Sequence, residues 1–304
     1  MEVLSSLFTI LVIILLGIFS RLAGVFKAEH AKTISSYVYY FGLPALFFTK
    51  IANLDLRSLD PQFALGSLLP TTILLIFLLA LFKLKILKKD TFVLLSLSIS
   101  LGSYAFYGVA FFDTFLDGKW IDFSILAASL LGVFGIITTL SLLEFTNQKK
   151  QSGGYLRKIF TNPLILSILL GIIFSLTGFK LDFLNNALYL VGQTASALAI
   201  FVLGIFIHDR FSWETLIKAL PYSLFRMIAL PLIAWVTIRF FLPEAGQMAQ
   251  FLLLEHGMPA AIGLVVFVER YDYKVTETAG IVSLTSILSL VGLTVIYYLS
   301  LWEL

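Results

Sequence analysis

Long apolar stretches alternate along the chain with short polar clusters. Eight stretches run without Asp, Glu, Lys or Arg: 3–20, 33–49, 61–82, 91–112, 123–143, 159–179, 183–207 and 278–302. Two more, 219–238 and 245–268, have crossing length but contain Arg226 and the pair Glu255 and His256. The hydrocarbon core of a bilayer takes about 20 apolar residues per helical crossing, so the pattern predicts ten membrane spans. Runs such as Thr71 to Ala80 do not alternate, as the strands of a transmembrane barrel do. The first span reads as a retained helix, because no Lys or Arg precedes it and no small-residue cleavage site follows its Leu/Ile core.

Composition agrees. Of 304 residues 59% are hydrophobic and 13% charged, against about 25% charged in an average soluble domain. A water-soluble surface cannot be assembled from this inventory. The absence of cysteine excludes disulfides and thiolate metal sites, and three histidines argue against a polynuclear metal centre. Neither a metal nor a cofactor is expected.

The net charge of +3 is not a nucleic-acid patch. Loops after the odd-numbered spans hold 15 Lys and Arg and the other set holds 5, with Arg226 set aside inside the membrane. The positive-inside rule then places the odd loops in the cytoplasm and both termini outside a multi-pass plasma-membrane protein. The longest polar connection, Asn147 to Arg157, falls at the midpoint and reads as a cytoplasmic linker (147–157) between repeats at 1–146 and 158–304. No loop is long enough to bury a core of its own.

The halves resemble one another. Ile14-Leu15-Leu16-Gly17-Ile18 returns as Ile168-Leu169-Leu170-Gly171-Ile172, a displacement of 154 residues. Leu22, Gly24, Ala45, Phe47 and Ile51 match Leu176, Gly178, Ala199, Phe201 and Ile205 in the same register. Five spans per half is an odd number, so the second copy enters the membrane from the opposite side. Inverted repeats of this kind give alternating access around a midplane site, built from broken helices whose backbone groups and dipole ends face the ligand.

The fourth span of each half carries such weak points. One holds Gly102-Ser103-Tyr104-Ala105-Phe106-Tyr107-Gly108, the other Glu255-His256-Gly257-Met258-Pro259-Ala260. Pro259 removes a backbone donor and frees the carbonyl four residues earlier. The candidate substrate-binding residues are therefore Ser103, Tyr104, Tyr107, Gly108, Arg226, Glu255, His256, Gly257, Pro259 and Ala260. A charge buried in a bilayer costs at least about 2.5 kcal/mol, so Arg226 and Glu255, at similar depth, each need a partner. Two readings stay open: a salt bridge joining the eighth and ninth spans, or a site where Arg226 holds a carboxylate substrate and Glu255 or His256 carries a coupling proton. Pro44 breaks the second span. Gln193-Thr194 and the hydroxyls Ser283, Thr285 and Ser286 read as packing, and Tyr37, Tyr39 and Tyr40 as interfacial anchors.

Four stretches together resemble the auxin efflux carrier family, including its prokaryotic PIN-like members, over essentially the whole chain. They are Tyr39 to Phe48 (YYFGLPALFF), Thr161-Asn162-Pro163-Leu164-Ile165, Ala199 to Gly204 (AIFVLG) and Met258-Pro259-Ala260. The resemblance implies a ten-helix fold in which the fourth and ninth helices cross as broken helices. It also implies that the first, second, sixth and seventh form a scaffold and the other six a moving transport unit. Typical substrates of that family are small organic anions such as auxin or dicarboxylates. The chain departs from it at the fourth helix, where Ser103 and Ala110 stand at the positions of an Asn and a Pro.

The function expected is elevator-type secondary transport of a small organic anion. Its partners are the lipid bilayer, that anion, a coupling proton or sodium ion, and a second copy of the chain, with no nucleic acid. A sodium-coupled symporter of the bile-acid carrier type is one alternative. A non-transporting membrane sensor or enzyme is another, disfavoured because no catalytic triad or H-E-x-x-H motif is visible.

Overall fold

In a computed structural model, the described residues are 2–53, 56, 60–114, 120–146, 161–178, 182–210, 212–242 and 246–303. Every regular element among them is helical. The linker expected over 147–157 lies outside the described residues.

Helices begin where local chemistry starts them. α1 spans Glu2–Leu22 and α2 Ala28–Tyr37; a single π turn, Val38–Gly42, joins α2 to α3, Leu43–Ala52. Pro44 stands in the first turn of α3, so the expected break in the second span is a π bulge that leaves the helix continuous. α4, Pro61–Lys83, starts on an Asp60 cap whose Oδ1 accepts from the Gln62 amide at 2.8 Å. α5 is Lys89–Ser100; after a second π turn, Tyr104–Gly108, the chain runs on as α6, Val109–Thr114. α7 spans Ile121–Thr146.

α8, Pro163–Thr177, is capped by Asn162 and ends at Gly178, whose φ of 68° suits a glycine. α9 spans Asp182–Arg210; α10, Trp213–Phe241, runs unbroken through Pro221 and Pro231. The ninth span is divided into α11, Gln247–His256, and α12, Gly263–Arg270, and α13 spans Val275–Glu303.

Five helical stretches, Pro61–Lys83, Phe123–Thr146, Phe183–Asp209, Trp213–Phe241 and Val275–Ser300, are long and apolar enough to cross a membrane. Large apolar side chains such as Phe19, Ile76, Ile228, Leu232 and Val291 stand exposed on the outside. That surface suits lipid and not water.

The helices pack as two groups. In one, α1 lies along α9 and α8 along α3. Gly17 permits the first approach: a Cβ there would sit 3.0 Å from Gly204 Cα. Gly171 permits the second, a Cβ falling 3.0 Å from Ile51 Cβ and 3.2 Å from the Phe48 carbonyl oxygen. The Tyr37 and Thr194 hydroxyls, 3.0 Å apart, tie α2 to α9. In the other group α10 packs along α4 and α13, with α5, α7, α11 and α12 around them.

Candidate functional site

The two divided helices meet at their interruptions. α5 stops at Ser100 and Leu101 turns extended, with φ −121° and ψ 99°. Beyond α11, Gly257 still donates to the Leu254 carbonyl at 3.0 Å and Met258 to that of Glu255 at 3.2 Å, after which Pro259 has no N–H to continue the ladder. The freed strands pair with each other. Ser103 N–H donates to the Pro259 carbonyl at 2.8 Å and Ala261 N–H to the Leu101 carbonyl at 2.9 Å, an antiparallel bridge centred on Gly102 and Ala260. Gly102 leaves room for two side chains, since a Cβ there would overlap Tyr104 Cζ, lie 2.6 Å from Arg226 Nη2 and force both to shift. The Ala260 N–H is taken by Thr285 Oγ1 at 3.1 Å, so the hydroxyl expected to serve packing holds the crossing.

Arg226, wholly buried on α10, is aimed at this bridge. Its guanidinium donates to the Met258 carbonyl at 2.9 and 3.2 Å, to that of Pro259 at 3.2 Å, and to that of Ser98. These carbonyls lie at the C-terminal ends of α5 and α11, where helix dipoles concentrate negative charge. One cation with a planar fork of donors satisfies both ends.

Arg226 and Glu255 form no ion pair among the described residues. Glu255 is fully buried and neither carboxyl oxygen has a hydrogen-bond partner among them. It faces the second π turn, where a Cβ on Gly108 would come 3.6 Å from Oε2. His256 is equally buried: Nδ1 lies 2.8 Å from the Leu252 carbonyl and Nε2 3.1 Å from that of Ser67 on α4. A neutral imidazole donates to only one of two carbonyls, whereas an imidazolium donates to both. Tyr107 is bonded to Ser289 of α13 at 2.9 Å. Gly257 packs against α13, where a Cβ would press on Leu293 at 3.0 Å.

On its other face the crossing closes a cleft of about 50 Å³ between the two helix groups. Gly102, Ser103, Tyr104 and Ala261 form its floor, and Tyr39, Leu43 and Phe47 face them from the first group. Ser103 Oγ, almost fully buried, has no hydrogen-bond partner among the described residues. It is a free polar atom in an otherwise apolar chamber. The N-terminal ends of the π turn at Tyr104 and of α12 at Gly263 also abut this cleft.

Of the ten residues singled out from sequence, Ser103 and Tyr104 line the cleft and Pro259 and Ala260 form the bridge above it. Arg226, Tyr107, Gly108, Glu255, His256 and Gly257 lie on the opposite face, inside the second helix group. Sequence reasoning missed the opposing wall. Tyr39, expected at the interface as an anchor, is buried, while Tyr40 is exposed. The signal that could have found it was Pro44 close by, marking the π bulge that turns Tyr39 inward.

Comparison with known proteins bears on this arrangement. The family model for membrane transport proteins matches residues 2–154 and again 150–297. An uncharacterized transporter of Methanocaldococcus jannaschii is 25% identical over 292 residues, covering 92% of this chain and 93% of the relative. An uncharacterized transporter of Methanothermobacter thermautotrophicus is 23% identical over 301 residues, covering 95% of each.

Proposed function

The chain belongs to the membrane transport protein family, the group of the auxin efflux carriers and their PIN-like relatives, and from that premise we propose that it carries a small organic anion by alternating access of the elevator type. The protein is a transporter and not an enzyme. The observation that carries the finer reading is the cleft between the helix groups, with the unpartnered Ser103 hydroxyl on its floor. Two helix N-terminal ends facing one small chamber favour negative charge there, and apolar walls suit an organic body.

In this reading α1, α2–α3, α8 and α9 are the scaffold, and α4 to α7 with α10 to α13 move as a unit. Counting each divided helix once makes ten crossings in two inverted halves. The 154-residue displacement supports this, as does the reciprocal packing of Gly17 against α9 and of its counterpart Gly171 against α3. The loop charges favour termini outside the plasma membrane. Glu255 and His256, buried behind the crossing, are the proton-coupling groups: one carboxyl lacks a partner and one ring meets two acceptors.

Uptake into proteoliposomes tests the reading, with radiolabelled monocarboxylates, dicarboxylates, indole acids and bile acids, each with and without a proton or sodium gradient. Saturable, proton-driven uptake of a carboxylate, flattened in its pH dependence by Glu255→Gln, is expected. Sodium-driven uptake would move the protein to the bile-acid carrier type of mechanism. Flux of none of these solutes would overturn the anion reading.

A further inference from the structure

We infer that an anion reaches the crossing cleft through a built entrance: a basic antechamber closed off by the aromatic pair Tyr39 and Phe267. This rests on the transport reading above.

In this conformation the cleft at the crossing has little free room and must widen to seat an organic anion. Its roughly 50 Å³ holds about three waters. Beside it lies a chamber of about 340 Å³, bounded by Lys32, Ser35, Ser36, Tyr40, Glu269 and Arg270. The two spaces share just two lining residues, Tyr39 and Phe267. Their rings meet edge to face, with centroids 5.5 Å apart, and form the partition.

Each leaf of that partition belongs to a different helix group. Tyr39 sits in the π turn, and its hydroxyl accepts from Asn162 Nδ2 at 3.0 Å. Asn162 is itself fixed, because its Oδ1 caps α8. Phe267 rides on α12, the second half of the divided helix. Any sliding of α12 against α2 and α8 must therefore part the rings and join the two spaces. An edge-to-face contact is worth about 0.5–1.5 kcal/mol beyond its buried area, enough to close a passage without locking it.

The antechamber selects by charge. Its ionisable groups are Lys32 and Arg270 against the single carboxylate of Glu269, a net positive balance, and Arg270 is steered by a 3.1 Å bond from Nη1 to the Tyr40 hydroxyl. A recess of one net sign concentrates the opposite ion. At the far end of the cleft Phe47, roughly 12 Å further along the helix at 1.5 Å per residue, stands with Ala105 and Ala128 between it and a small pocket that Lys50 lines. The ligand class is a small organic carboxylate, held loosely at Lys32 and Arg270 before the partition opens.

The chain has no cysteine, so one introduced thiol reports access without background. Ala128→Cys, on the α7 wall of the cleft, is exposed in proteoliposomes to an anionic sulfonatoethyl and a cationic trimethylammonium-ethyl methanethiosulfonate from the face that bears Arg270. With each rate divided by that of the same reagent on a small free thiol, the anionic reagent should be favoured several-fold. Phe267→Ala should raise both rates about five- to tenfold, with Phe267→Leu in between. Lys32→Gln combined with Arg270→Gln should abolish the charge preference and leave the effect of Phe267→Ala intact. Ala105→Cys repeats the measurement from another wall, should the first thiol disturb folding. Rates that ignore residue 267 at both thiols, or a normalised cation rate that equals the anion's, overturn the entrance. Carboxylate flux measured in the same vesicles keeps the two ideas apart: this labelling pattern without flux retains the entrance and removes the carrier, and flux without the pattern does the reverse.

Discussion

The two divided helices meet at their breaks, and the two breaks carry opposite chemistry. The break after α5 is made of small and hydroxylic residues, Gly102 and Ser103, and it presents them to the cleft. The break after α11 carries the titratable groups, Glu255 and His256, and turns them away from the cleft into the second helix group. Between them Arg226 donates to carbonyls of both. The lesson is a division of labour: one break lines the cleft, the other keeps its titratable groups behind the crossing, and the bracing comes from Arg226 of α10 and Thr285 of α13.

The most damaging way to break this comparison is at Arg226. Arg226→Gln should lower the stability of the purified protein by about 3 kcal/mol, since it removes the guanidinium from the Met258 and Ser98 carbonyls and leaves that of Pro259 with the Ser103 N–H alone, and should do so without any solute present. Thermal unfolding in detergent reads the effect. Arg226→Lys should recover only part of it, because an ammonium lacks the planar fork; an unshifted midpoint in both variants would return Arg226 to the role of a substrate ligand. Next in size is Thr285→Val, which strands the Ala260 amide and should cost about 1–2 kcal/mol, while Thr285→Ser retains the bond and the midpoint.

Ser103→Ala sharpens the contrast from the cleft side. Its hydroxyl has no partner to lose, so stability should move by less than about 0.5 kcal/mol, while the KM for uptake rises about two- to tenfold, the worth of one hydrogen bond. A large fall in stability would show that the fourth-span break is braced like the ninth.

The smallest effect is expected at Lys274, just past α12, which reaches Asp90 at the start of α5 at 3.3 Å and so ties the outlying ends of the two divided helices. The hydrogen bond to Asp90 holds the ammonium pKa above its ordinary value. A raised pKa makes the contribution full below the unfolded value, about 10.4, and lost as pH climbs through the folded one. Lys274→Gln should therefore cost less than about 1 kcal/mol at neutral pH, as partly exposed pairs do, and nothing in strong alkali, checked by melting across pH 7 to 11.

How much of this was legible beforehand differs between the helices and the site. The divided spans were readable because their causes are local: Pro259 cannot donate and Gly102 tolerates an extended neighbour, whatever surrounds them. The π bulge at Val38–Gly42 was only half readable, since Pro44 marks a disturbance without saying that the helix absorbs it by widening a turn. The equal depth of Arg226 and Glu255 suggested that they pair, and depth alone could not say that the guanidinium turns to carbonyls instead.

The chain alone therefore determined that this is a helical membrane protein with two interrupted helices, because hydrophobic length, proline and glycine act within a few residues of where they stand. Only the packed structure decided which groups line the cleft. A side chain on a membrane helix has as many candidate partners as it has neighbouring helices. Arg226, Glu255 and Tyr39 found carbonyls, the second π turn and a phenylalanine from segments distant in sequence, and no local rule specifies those pairings.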